Sequence, residues 1–391
     1  MKHYLTVAVL LLASTYGTYA LFGFGYKNGL LALVQEQLKS GHVADGVAAE
    51  VTSPTGIASA DEQLAGLLTF FWPVLDGSRP DVSLHCLYFG GQCIAMWTIT
   101  AIEGLRAGNR GRMVACTTIY GLLFQTIGIA VAAPLYLVLH LATSPTATNP
   151  MVANSQVNSN ELQALPFSTI TGFIIPSIFM SLHAPSYLTW DMKAYAILLW
   201  QFFPLWCYLS QWVWKRLFTI RSVGPRSHHL DPDRNLMEVR NMRKVYFFAV
   251  ACTAIIHIGV WSVSVAAFMF PSSFAEGLAP SLVPSRLFVP TGPWSSVKAD
   301  SIATGAHWLL QWDLVISSSA YLLWACYMAF NTKAKTENIH GYFQDAFAML
   351  LKVSLLGLAG AAAYTIWERD ELVYSENPRQ RTYEQASRKT L

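Results

Sequence analysis

The sequence predicts an all-α fold: a polytopic membrane helical bundle of about eight transmembrane helices, forming a single integral membrane domain over residues 1–391. Composition is the first observation behind this: 53% of residues are hydrophobic and only 13% charged, about half the charged share of roughly 25% in soluble proteins. The second is length. Apolar stretches able to cross roughly 30 Å of hydrocarbon fall at about 4–24, 83–105, 113–140, 166–186, 194–214, 245–270, 307–330 and 345–367. Most of the charge lies between them, which is the third.

The first stretch follows Lys2 and ends in the small-residue run GTYA, the outline of a cleaved signal, but an uncleaved helix is the expectation. A polar loop is expected over 25–82. Within it Leu64–Leu75 is too short to span and reads as interfacial, with Asp76 of FWPVLDGS at its end. In the second span His85, Tyr88, Gln92, Met96, Thr100 and Glu103 recur at three- and four-residue steps, so they share a helix face. A polar stripe that long belongs toward the bundle interior. Gly91 and Ala95 beside it admit a close neighbour. Similar faces are expected in the fifth span, with Gln201, Tyr208 and Gln211, and in the sixth, with Tyr246, Thr253, His257, Trp261 and Ser264. Hydrogen bonding between helices is their ordinary purpose. A basic loop at 215–244 reads as interfacial anchoring, and a charged tail from 368 as flexible or a short surface helix.

Several chemistries lack their residues. All six cysteines lie inside predicted spans and none forms a C-x-x-C pair, so neither a disulfide framework nor a zinc site is expected. No aspartate-rich box would hold magnesium on a diphosphate, and no histidine boxes, P-loop, G-x-S-x-G or H-E-x-x-H appear. His228 and His229 in SHHLDPD read as part of a hydrated loop rather than as metal ligands. No metal and no cofactor are therefore expected. A net charge of +3 is too slight to imply nucleic acid. Lys and Arg divide almost evenly between the two faces, so they assign no orientation.

The acids remain. If eight spans alternate, Glu103, Asp191, Asp313, Glu368 and Asp370 fall toward one face and Asp76 toward the other. Asp313, in HWLLQWDLVISS, sits inside the seventh span, where an aspartate costs roughly 2.5–3.5 kcal/mol at the bilayer centre. Lys352 is the one cation inside a span, and it enters from the opposite face, roughly 10 Å away in depth. Asp313 is thus expected to lack a cation and to keep its proton, a donor awaiting a weak base. Glu103 has Arg106 three residues on, so a structural ion pair competes with a catalytic role. The 13 Trp, 17 Tyr and 21 Phe supply rings able to face positive charge.

FWPVLDGS, GQCIAMWTITAIEGLRAGNRG, FFPLW and LLQWDL, in a chain of this length, resemble the fungal membrane-bound terpene cyclases of meroterpenoid and indole-diterpene pathways, such as those forming ascofuranone, ascochlorin and macrophorin. The resemblance implies an isomerase- or lyase-type enzyme of the endoplasmic reticulum. It would protonate an epoxide or alkene of a prenylated aromatic and guide the carbocation through cyclisation. Asp313, Glu103 and Asp76 are then the acid candidates. Trp97, Trp308, Trp312, Tyr246, His257 and Gln92 are the expected substrate-binding residues. The partners implied are a prenylated, lipid-like small molecule and membrane lipids. Two other classes stay open: a proton-coupled transporter or lipid-binding membrane protein, and a non-catalytic scaffold for a biosynthetic pathway.

Overall fold

The structure, a computed structural model, describes residues 2–40, 42–44, 47–48, 55–221, 232–333 and 342–375. His228 and His229 lie outside the described residues, as does the tail beyond 375. Helix α1 (Lys2–Thr18) runs on through a π turn, Tyr19–Gly23, into Phe24–Lys27. It is followed by α2 (Leu30–Lys39), α3 (Ala58–Leu75), α4 (Pro80–Leu105), α5 (Thr117–Ile127) and α6 (Ile129–Thr143). Helix α7 starts as Ser159–Thr169 and continues through a π turn to Ser181. Then come α8 (Trp190–Trp200), α9 (Phe203–Arg221), α10 (Pro232–Met269), α11 (Ile302–Lys333) and α12 (Tyr342–Ser375). Extended structure among the described residues is one small antiparallel pair, His42–Ala44 with Val47–Ala48.

Local chemistry sets several starts. Proline occupies the first turn of α4, where its missing N–H leaves no bond unmade. The side chains of Asn158 and Thr189 cap α7 and α8 by accepting from Asn160 N at 2.9 Å and Met192 N at 3.2 Å.

Among the described residues, five helices are by length and composition long and apolar enough to cross a membrane: His3–Lys27, Ser159–Ser181, Leu236–Met269, Ile302–Lys333 and Ala346–Ser375. The expected eight are not reached, for physical reasons. The second expected span is present as α4, 26 residues long, but its polar stripe dilutes its hydropathy. The third is broken at Gly128, whose φ of +83° ends α5 and begins α6. The fifth is interrupted between α8 and α9 at Gln201 and Phe202.

The last helix also doubles back. Gly357 has φ +72° and ψ 175°, and Lys352 Nζ meets Glu368 Oε2 at 2.5 Å. Sixteen residues of straight helix would separate these two by about 24 Å, so the arms on either side of Gly357 lie against one another. Both breaks sit deep in the bundle, where exposed backbone is tolerated only if protein satisfies it. Gln92 does so for the second break. Its Nε2 donates to Leu356 O at 3.0 Å, and its Oε1 accepts from Ala359 N at 2.9 Å. Asp313 does so for the first, accepting from Ala130 N at 2.6 Å.

Cross-contacts give the directions. Asp313 with Ala130 and Trp324 with His140 run α11 parallel to α6. His307 with Asp81 and Thr100 with Tyr321 run α4 parallel to both. Gln92 and Asp313 therefore stand at similar depth, each eleven residues, or about 16 Å, from the level of Glu103. This corrects the face assignment made from eight alternating spans: Asp313 is not beside Glu103 and Asp370.

Other expectations are also revised. The polar loop 25–82 is largely helical, and its interfacial segment is the well-buried helix α3. The basic loop 215–244 is the end of α9 and the start of α10, with 222–231 outside the described residues. The stretch 368–375 is helical and carries Arg369 and Asp370 into the core. Tyr208, expected on an interior face, is 58% exposed. The stripe on α4 is interior: His85, Gln92, Met96, Thr100 and Glu103 are all buried. Gly91 does admit a close neighbour, since a Cβ there would lie 2.7 Å from Ile256.

Candidate active site

Asp313 is held at the tip of the α5–α6 hairpin. It caps α6, so its carboxyl faces the positive end of that helix's dipole. The tip fits because Gly128 has no side chain: a Cβ there would lie 2.4 Å from Leu21 Cδ1 and 3.3 Å from Asp313 Oδ1. Asp313 is 7% exposed and, among the described residues, forms no ion pair. Ser317 Oγ donates to its carbonyl at 2.6 Å, fixing the turn of α11 that carries it.

Glu103 has the opposite environment. Arg106 Nε lies 2.8 Å from its Oε1, and Arg106 Nη2 reaches Asp370 Oδ2 at 2.6 Å. Arg369 Nη1 binds Asp370 Oδ1 at 2.8 Å and stands 3.9 Å from Glu103 Oε1. Two guanidiniums, which stay charged, thus face two carboxylates, all four side chains almost fully buried. Tyr246 OH donates to Asp370 Oδ2 at 2.6 Å, Arg106 Nη1 to Ser155 O at 2.9 Å, and Arg369 Nη2 to the Thr146 carbonyl. On the other oxygen of Glu103, Thr146 Oγ1 and His140 Nε2 each stand at 3.0 Å. Trp324 Nε1–H donates to His140 Nδ1 at 3.2 Å. Since an indole N–H only donates, Nδ1 must accept, which assigns the ring proton to Nε2 and aims it at Glu103. Asn109 and Ser144 extend the network.

Asp76 joins neither acid. It ends α3 and accepts from Ser78 N at 2.8 Å and Ser78 Oγ at 2.6 Å, closing the turn at Gly77. This turn precedes α4, whereas Glu103 is at the far end of that helix. Nor do the expected binding residues line one pocket. Tyr246 belongs to the ion cluster and Gln92 to the Gly357 tip. His257 bridges Tyr88 OH at 3.2 Å and Ser354 O at 3.1 Å. Trp97 packs on Phe203, Trp308 on Phe24, and Trp312 donates to Thr291 O at 2.9 Å.

The residues missed by sequence reasoning are His140, Arg369 and Asp370. For the last two a signal existed: ERDE follows an apolar run with no helix breaker between. Two cavities are described. One is a groove along Trp212, Lys215, Arg216, Thr219 and Ile220. The other, of about 10 Å³, reaches Asp370 between Val239, Met242, Trp367 and Tyr374, room for about one water. Neither borders Asp313. Among the described residues no three of His, Cys, Asp and Glu gather as metal ligands.

Outside the spans, Arg79 at the start of α4 has its pKa raised, chiefly by its hydrogen bonds to Asp81. Asp300, just before α11, is held below the ordinary carboxylate range, first by the Thr304 hydroxyl.

Comparison with known proteins gives this arrangement a family. The CtvD domain matches residues 6–374. Terpene cyclase ascI of Acremonium egyptiacum is 32% identical, over 92% of this chain and 89% of its own length. Terpene cyclase ctvD of Aspergillus terreus is 30% identical, over 94% and 99%. Terpene cyclase penA of Penicillium crustosum is 29% identical, over 84% of each. No solved structure matches. The chain belongs to the CtvD-domain family, the family of these fungal terpene cyclases.

Proposed function

We propose that this chain cyclises a prenylated aromatic, or a related meroterpenoid, by protonating its terminal epoxide or alkene in the endoplasmic reticulum membrane, with Asp313 as the acid. The observation that supports this reading is the contrast between the two buried acids. Glu103 is balanced by cations, whereas Asp313 has none. A carboxyl buried without a counter-charge favours its neutral form, which is the form an acid catalyst needs. Oδ1 is taken by the Ala130 N–H, leaving Oδ2 to carry the proton.

In an epoxide substrate the proton passes to the ring oxygen as the C–O bond opens. The neighbouring alkene then attacks the cationic carbon, and each new ring moves the charge along the chain. Loss of a proton or capture of water ends the cascade, giving an isomerase- or lyase-type outcome. Once Asp313 has donated, the Ala130 amide and the α6 dipole stabilise its carboxylate. The anion in turn offsets the developing cation. Aromatic rings elsewhere in the bundle are available to face the cation. Asp76 closes a turn, and Glu103 organises the far end of the bundle.

A second reading places the acid in the Glu103–Asp370 cluster, favoured by the small cavity that reaches Asp370. One experiment separates them. Microsomes carrying the protein receive a farnesylated aromatic epoxide without ATP, ion gradient or nicotinamide, and cyclised product is measured. Asp313→Asn should abolish turnover while Glu103→Gln retains part of it; the reverse pattern transfers the acid to the cluster. A transporter or scaffold would give no product with the unaltered chain.

A further inference from the structure

Three buried polar side chains on α4 and α11 have ring nitrogens or an amide oxygen with no hydrogen-bond partner. His85 is 1% exposed, and neither of its nitrogens is bonded. His307 is 6% exposed with Nε2 unbonded, while its Nδ1 faces Asp81 Oδ2 at 3.9 Å. Gln311 is 1% exposed; its Nε2 donates to Arg286 O at 2.8 Å and Leu287 O at 3.0 Å, which leaves Oε1 unbonded. The two histidine rings are 5.2 Å apart, and the carbonyls of Leu287 and Leu310 stand near His85 outside hydrogen-bonding geometry. An unpaired buried polar atom loses its hydration with nothing in return, so four of them in one place call for a ligand.

Their chemistry selects its class. His307 Nδ1 faces the Asp81 carboxylate at 3.9 Å without a hydrogen bond, so either nitrogen of the neutral ring can carry its proton. Gln311 Oε1 is an acceptor, and neutral His85 supplies one acceptor and one donor. With the unbonded Trp261 Nε1–H beside them, the site offers both acceptors and donors, which suits O–H groups, since a hydroxyl does both. Beside them is an aromatic wall: Phe288 packs edge-on to Tyr88 at 5.0 Å and stacks on Trp261 at 4.2 Å. We infer that His85, His307 and Gln311 form a binding site for the hydroxylated aromatic ring of the substrate. This rests on the reading of the substrate as a prenylated aromatic. Along α11, Gln311 is two residues and His307 six residues from Asp313, about 3 and 9 Å of helix rise. Both lie on the face of α11 turned away from Asp313, so the prenyl chain must pass round the helix to reach the acid.

The test reads binding, not turnover. Full-length protein in detergent micelles is titrated with a farnesylated resorcinol lacking any epoxide, and with its dimethyl ether, by tryptophan-fluorescence quenching. The unaltered protein should bind the resorcinol at least about tenfold more tightly than the ether. His85→Phe and Gln311→Met should erase that preference, His85→Gln should keep part of it, and Arg243→Ala, in a half-exposed pair away from the site, all of it. If the preference depends on His85 in a protein that cyclises nothing, the ring site stands and the cyclisation chemistry falls. Equal binding of resorcinol and ether by the unaltered protein means that the unpaired atoms hold only water, and overturns the inference. So does a folded His85→Phe protein that keeps the preference, even where cyclisation proceeds. If His85→Phe fails to fold, the unaltered protein and His85→Gln carry the decision.

Discussion

Asp313 and Glu103 stand at opposite ends of α6, both buried, and the bundle compensates them in opposite ways. At one end Glu103 meets Arg106, Arg369 and a neutral histidine, in a cluster where formal charges cancel. At the other, Asp313 meets only backbone N–H and a helix dipole. Desolvating an ion pair costs several kcal/mol per ion, which mutual attraction repays only with good geometry. The cluster therefore holds helices in place and is intolerant of losing one member. A lone carboxyl escapes that penalty by keeping its proton, which suits it to chemistry.

Breaking each end should show this difference. The largest effect is expected from Asp313→Asn, which still accepts the Ala130 N–H but carries no transferable proton. Turnover should fall about 10²–10⁴-fold, with the unfolding midpoint in detergent little changed; wild-type rates would remove Asp313 as the acid. Next is Arg106→Met, which leaves Glu103 and Asp370 to share the single guanidinium of Arg369. It should destabilise the fold by about 3–5 kcal/mol, read by denaturant titration, and a loss under about 1 kcal/mol would show that the cluster tolerates unbalanced charge.

The two glycine tips sharpen the contrast. Alanine at Gly128 or Gly357 must adopt a left-handed φ, at about 1–3 kcal/mol each. At Gly128 the new methyl also crowds Leu21 and Asp313, so turnover should drop along with stability. At Gly357 it meets the Gln92 amide at 2.4 Å, so stability should suffer first. Equal activity losses in the two variants would remove the special position of the first tip. The smallest effect belongs to Arg243→Ala. Its pair with Glu371 is half exposed, and thermal unfolding should register less than about 1 kcal/mol.

Legibility followed the range of the interaction. The interior stripe on α4, the i, i+3 pair Glu103–Arg106 and the isolation of Asp313 from Lys352 all come from helical periodicity or depth, which local sequence encodes. The breaks did not. Gly128 and Gly357 sit in apolar runs that read as continuous, and a glycine within a helix is no certain stop. Missing them put Asp313 on the same face as Glu103; Asp370, 267 positions away, was placed toward that face correctly, but its sharing of Arg106 with Glu103 is a tertiary contact. Of the expected tryptophans, Trp312 packs in the cluster of Leu21 and Ala130 beside the Asp313 tip, whereas Trp97 and Trp308 rest on Phe203 and Phe24, because neighbours in a helix sequence point to different faces.

The sequence by itself determined a membrane-embedded helical protein with an interior polar stripe and one acid lacking a cation, since apolar length and helical period are properties of contiguous residues. Tertiary structure decided what else meets each acid: Arg369 and His140 at Glu103, and the Ala130 amide at Asp313. That depends on where two hairpins turn and which distant side chains, Gln92 and Asp313, close their open backbone ends. Unmet N–H groups in a water-poor interior must find partners wherever the fold provides them.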